Sequence, residues 1–158
     1  MLQTFFEWLQ STPLAVKVGE DWFPYVESTH VVCLALVAGT IITVDARLIG
    51  LASRHLRFTY LSDRLLPWTW GAFICAAITG SLLFMANATS YASNMPFRYK
   101  MVLLLLAGLN MLYFQFVTFR SVSSWDTGTP APAARFSGVM SIVLWCGVIA
   151  CGRWVGFV

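Results

Sequence analysis

Apolar positions along this chain gather into four long runs. In the first, Ser28 to Val44, 17 residues pass without a formal charge. At a rise of about 1.5 Å per residue, that nearly crosses a hydrocarbon core of roughly 30 Å. With its flanks it predicts a span over about 27–50, ESTHVVCLALVAGTIITVDARLIG. Three more follow over about 67–87, 100–119 and 136–157, the second opened by tryptophans suited to an interface. The expected fold is all-α, a bundle of four transmembrane helices forming one domain over 1–158. Ahead of the first span, Phe5, Phe6, Trp8 and Leu9 are interrupted by Glu7 and Gln10. This pattern predicts an N-terminal amphipathic helix lying in the interface, followed by an aromatic belt at Trp22, Phe23 and Tyr25. A basic n-region and a small-residue cleavage site are lacking, so the segment does not read as a signal peptide.

Polar positions mark the connections. ARLIGLASRHLRFTYLSDRLLP carries Arg47, Arg54, Arg57 and Arg64 against Asp45 and Asp63. ATSYASNMPFRY reads as a short polar turn, and SVSSWDTGTPAPAAR as a loop. Six of the ten basic residues fall between 47 and 64 or between 120 and 135, which places both termini outside the cytoplasm. Inside the second span Ala72, Ala76 and Gly80 form a small-residue ridge that lets a neighbouring helix approach. On the third, Lys100, Met111 and Thr118 fall on one line flanked by Asn110 and Gln115, predicting a polar stripe that faces protein.

Composition narrows the function. The chain is 58% hydrophobic and 11% charged, with a mean hydropathy of +0.72, against about 25% charged in soluble proteins. An integral membrane protein is implied, with the bilayer as its first partner and no room for a separate soluble catalytic domain. The net charge of +3 is too small and too scattered to suggest nucleic acid. Cys33, Cys75, Cys146 and Cys151 all lie in apolar runs without a CxxC, which favours packing over a disulfide framework or a zinc site. No nucleophile with a base, phosphate loop or HExxH pattern supports a hydrolase or kinase, and whether the chain is an enzyme stays open.

Ionisable groups at the span ends are the candidate chemistry, because burying them in a membrane is costly. The topology sets Glu27, His30, Asn87, Arg98, Lys100 and Arg153 at similar depth, with Glu27 and His30 three residues apart on one helical face. One reading has these groups solvated, Lys100 and Arg153 snorkelling to the headgroups. The other makes His30 an axial ligand for haem b or, less favourably, a copper ligand, with Glu27 orienting it and Lys100 and Arg153 meeting acidic groups of the cofactor. A bis-histidine haem would require His55, which sits in the basic connection where a solvated role is expected. Met85, Met95 and Met101 permit a Cu(I) variant. A second polar group, Asp45, Arg47, Gln115, Thr118 and Arg120, is expected to be structural, held by an Asp/Arg pair.

Taken together, FPYVESTHVVCLALVAGTIITVDARLIGL, LPWTWGAFICAAITGSLLF, FRYKMVLLLLAGLNMLYF and SIVLWCGVIACGRWVGF resemble an uncharacterised bacterial family of four-helix integral membrane proteins, a domain of unknown function. A looser similarity, on His30, Gly80 and Lys100, runs to the copper-resistance D family and to HemJ-type protoporphyrinogen oxidases. The resemblance implies a haem-b or copper-related bundle, and with the basic-residue count the expected location is the bacterial cytoplasmic (inner) membrane, multi-pass with periplasmic termini. Gln115 stands near where some relatives carry a histidine. The expected function is therefore a redox or porphyrin-handling role through His30. The alternative is a cofactor-free, non-catalytic membrane subunit or scaffold that docks a membrane protein, a periplasmic protein or a second copy of itself.

Overall fold

A computed structural model of the chain describes residues 1–53 and 55–157, so the expectation for Arg54 lies outside the described residues. Its helices are α1 (Leu2–Gln10), α2 (Pro13–Lys17), α3 (Phe23–Ile49), α4 (Phe58–Ala86), α5 (Ala88–Ser93), α6 (Met95–Tyr113) and α7 (Pro132–Trp154). A π-helical turn, Val18–Trp22, joins α2 to α3, and another, Phe114–Thr118, extends α6 before the 3-10 turn Phe119–Ser124. Four continuous helical stretches are long and apolar enough to cross a membrane: Pro13–Ile49, Phe58–Ala86, Met95–Ser124 and Pro132–Phe157.

These elements begin earlier than the apolar runs alone suggest, and the local chemistry explains why. α3 has Pro24 in its first turn and stops at Gly50, whose φ of 79° is the left-handed conformation glycine adopts readily. α4 starts at Phe58 rather than near Pro67 because a distant residue caps it. The Asp126 carboxylate accepts from the Thr59 N–H at 2.8 Å and the Thr59 hydroxyl at 2.9 Å, and its carbonyl accepts from the Phe58 N–H at 3.0 Å. The expected polar turn before the third span is largely helical. α5 fills it, and Asn94 then caps α6 by accepting from the Phe97 N–H at 3.0 Å, with Pro96 in the first turn. α7 likewise opens at Pro132 instead of Phe136.

α3 and α7 are the central pair, with α4 beside α3 and α6 beside α7. The α3–α4 contact is antiparallel, with rungs at His30–Thr79 and Thr40–Thr69, and buried Ala72 and Ala76 form the flat ridge between them. α4 and α6, on the flanks, add Ala72 and Ala107 to a core that α3 and α7 build from Val37, Leu144, Trp145 and Val148. Gly138 lets α7 close on α3, since a Cβ there would lie 3.1 Å from Leu48 Cβ and 3.4 Å from the Asp45 carbonyl. A second cluster, Leu48, Phe58, Trp125 and Ala134, ties the 125–131 loop to the C-terminal end of α3.

The expected polar stripe on the third span is not continuous. Lys100 is half-buried and Thr118 buried, but Met111 and Gln115 are exposed. The π-turn at Phe114–Thr118 adds a residue to the helical repeat, which turns Gln115 away from the line drawn through an ideal α-helix, whereas Met111 lies before it, within α6. At the other end of the bundle, the rings of Phe84, Tyr91 and Phe97 stack with centroids 5.4–6.5 Å apart, joining α4, α5 and α6. Phe6 of α1 meets Phe84 edge-on at 5.9 Å, and Gln10 accepts from the Thr89 hydroxyl at 2.8 Å.

Candidate functional site

His30 is held by α4 from two directions. Its Nδ1 lies 3.0 Å from Thr79 Oγ1, while that hydroxyl donates to the Cys75 carbonyl at 2.8 Å and leans towards Ala76 O at 3.2 Å. With its one proton committed to the backbone, Thr79 has a lone pair to offer, so Nδ1–H is the donor. Nε2 is left as the lone-pair nitrogen. Beneath the ring, a Cβ on Gly80 would stand 2.9 Å from His30 Cε1, closer than such contacts occur. The imidazole occupies the space that glycine leaves on the α4 ridge.

Lys100 comes from the opposite flank. It is half-buried on α6, its ammonium acts on His30 through its charge, and its side chain runs past Gly152 of α7, where a Cβ would lie 3.6 Å from Nζ. Among the described residues no carboxylate pairs with it. An open groove lined by Trp22, Tyr25, Val26, Thr29 and Thr79 reaches the His30 anchor along the outside of α3.

Glu27 and Arg153 do not join this pair. Glu27 is exposed, and its charge acts on Tyr91, whose phenol is pushed up first by burial and then by that carboxylate. Helical spacing placed Glu27 and His30 on one side of α3, but the imidazole turns inward to Thr79 while the carboxylate stays at the rim. Arg153 is exposed with its guanidinium 5.1 Å from the Phe157 ring centroid. His55 is exposed in the connection at the opposite end. Among the described residues no three His, Cys, Asp or Glu side chains come together to hold a metal. Cys33 is buried facing Cys75, and no disulfide forms.

The Asp45–Arg47 pair expected at the other end does not form, because successive odd positions on a helix diverge. Arg47, 1% exposed, donates from Nε to Leu56 O at 2.9 Å and from Nη2 to Asp126 O at 3.1 Å and Gly128 O at 3.4 Å. Asp45 faces α7, where the Ser141 hydroxyl is its hydrogen-bonding neighbour. Gln115 and Arg120 are exposed. Asp126, a loop residue that no sequence pattern singles out, is the partner that matters at this end. Burial raises its carboxyl, but the Thr59 N–H and hydroxyl and the charges of Arg57 and Arg47 outweigh that and hold it below the usual carboxylate range.

The family model for DUF6644, a family of unknown function, matches residues 5–158. The chain belongs to that family. No curated protein and no solved structure matches it. The likeness to copper-resistance D and HemJ-type proteins therefore has no support in these comparisons. For this DUF6644 protein, the function has to be argued from the His30 site itself.

Proposed function

We propose that this protein is a small multi-pass component of the bacterial inner membrane that binds one haem b-type tetrapyrrole, with His30 Nε2 as the axial ligand and Lys100 receiving an acidic group of the ring. The observation that carries the reading is the anchored imidazole. Thr79 fixes one nitrogen, Gly80 makes room for the ring, and the other nitrogen keeps its lone pair, an arrangement that ligating histidines characteristically share. The donor set fits a single axial ligand. It does not fit bis-histidine ligation, since His55 lies at the far end, nor a metal site built from three His, Cys, Asp or Glu side chains, since no such group comes together among the described residues. When bound, the group would supply one-electron or porphyrin chemistry. The chain's own residues orient the imidazole, neutralise an acidic substituent and offer Trp22 and Tyr25 as an apolar approach. Both termini lie on the periplasmic side in this reading, with α1 in the interface and its Phe6 against Phe84.

Titrating the purified, detergent-solubilised protein with haemin tests this. A saturable one-to-one change in absorbance is expected, lost in His30→Ala and weakened in Lys100→Met; a wild-type protein giving no saturable change contradicts it. A second reading, a scaffold docking a partner, rests on the Met95–Ser124 helix, in which only 11% of the apolar window is buried. A protein that binds no haemin and co-purifies in fixed ratio with another membrane protein would favour that reading.

A further inference from the structure

Asp45 lies far from the His30 site, near the other end of α3, and nothing in the proposed tetrapyrrole chemistry uses it. It is 7% exposed, and its Oδ2 is fully buried without a hydrogen-bond partner. Arg47, the nearest cation along the chain, spends its donors on the carbonyls of Leu56, Asp126 and Gly128. From α7 the carboxyl meets the Ser141 hydroxyl, and Gly138, whose added Cβ would lie 3.4 Å from the Asp45 backbone carbonyl, keeps the two helices close at this level. Among the described residues no cation on α3, α4, α6 or α7 pairs with it. One turn along α7, Ser137 donates to Asn110 Oδ1 and accepts from Asn110 Nδ2, each at 3.0 Å, so polar groups continue from α3 across α7 to α6. A carboxylate removed from water is strongly unfavourable unless positive charge reaches it, and an ionisable group held inside a span is functional by default.

We propose that Asp45 is the carboxylate of an intramembrane site for a small monovalent cation, a proton or an alkali-metal ion, received at Oδ2 in the α3–α7 interface. Occupancy neutralises the Asp45 charge between these helices, so their packing responds to the ion. The site stands whether or not haem binds at His30.

Two measurements on the full chain in detergent test it and separate the sources. Melting is followed in sodium, potassium or choline chloride at constant ionic strength, and the infrared spectrum is recorded at neutral pH with carboxyl-labelled aspartate. If the ion is an alkali metal, sodium or potassium raises the wild-type melting temperature over choline, and Asp45→Asn removes the difference. If it is a proton, one protonated aspartate per chain appears in the infrared. Asp21 and Asp63 are exposed and Asp126 is held ionised, so that band belongs to Asp45 even should Asp45→Asn fail to fold. Melting indifferent to the cation, together with all aspartates ionised, would overturn the proposal.

Discussion

Two residues show at the smallest scale how buried polar chemistry organises this chain. Arg47 ties both connections at its end of the bundle to α3 through three carbonyls. Arg47→Met keeps most of the apolar stem but strands those acceptors, and a loss of roughly 3 kcal/mol is expected at about 1 kcal/mol or more per buried group; detergent thermal melts measure it. Asp126 caps α4, and Asp126→Asn should cost about 1 kcal/mol. Its carboxyl titrates below the ordinary range in the folded protein, so its contribution is complete at neutral pH and fades as pH falls through that lowered value. The wild-type melting temperature should therefore drop towards that of Asp126→Asn at acid pH, the gap between the two closing. Neither role was legible in the sequence. Asp45 and Arg47 look paired because they are close along the chain, yet residues two positions apart on a helix point about 200° from one another, and the true partner of Arg47 lies across a long loop.

Among the elements, what was legible followed from composition and what was not followed from caps and register. Four apolar runs announce four spanning helices, and Ala72, Ala76 and Gly80 announce the face of α4 that packs. The starts of α4 and α6 were not visible, because Asp126 and Asn94 set them with side-chain oxygens that hydropathy does not register. The π-turn at Phe114–Thr118, which takes Gln115 off the expected stripe, was not visible either, since no residue type marks it. Close approach at glycine is the element-scale property most open to test. A side chain at Gly138 would press on Leu48 and Ile49 at 3.1–3.3 Å. Gly138→Leu should separate α3 from α7 and cost about 1–3 kcal/mol of overpacking, read as a lowered melting temperature in detergent. Gly80→Val should act more locally, displacing the His30 ring and reducing haemin binding more than it reduces stability.

At the scale of the molecule, an even number of spans puts both termini on one side and both basic connections on the other. The structure joins those connections physically, since Arg47 and Phe58 both bond Asp126. Basic residues favour the cytoplasm, so an impermeant maleimide applied to spheroplasts should label Ser90→Cys and leave Leu51→Cys and Thr127→Cys unlabelled. The reverse pattern would invert the topology. Of the four residues expected to serve a cofactor, Lys100 on α6 brings its charge to His30 on α3, whereas Glu27 and Arg153 stay exposed. Depth was legible from the topology, but the direction each side chain takes depends on what the facing helix leaves open, here Thr79 and Gly80. The most direct test of the central claim is the haem content of the protein isolated from membranes of haem-sufficient cells. One haem b per wild-type chain and none in correctly folded His30→Ala is the expected result; an equally stable wild-type protein that carries no haem would contradict the assignment of His30 as its ligand.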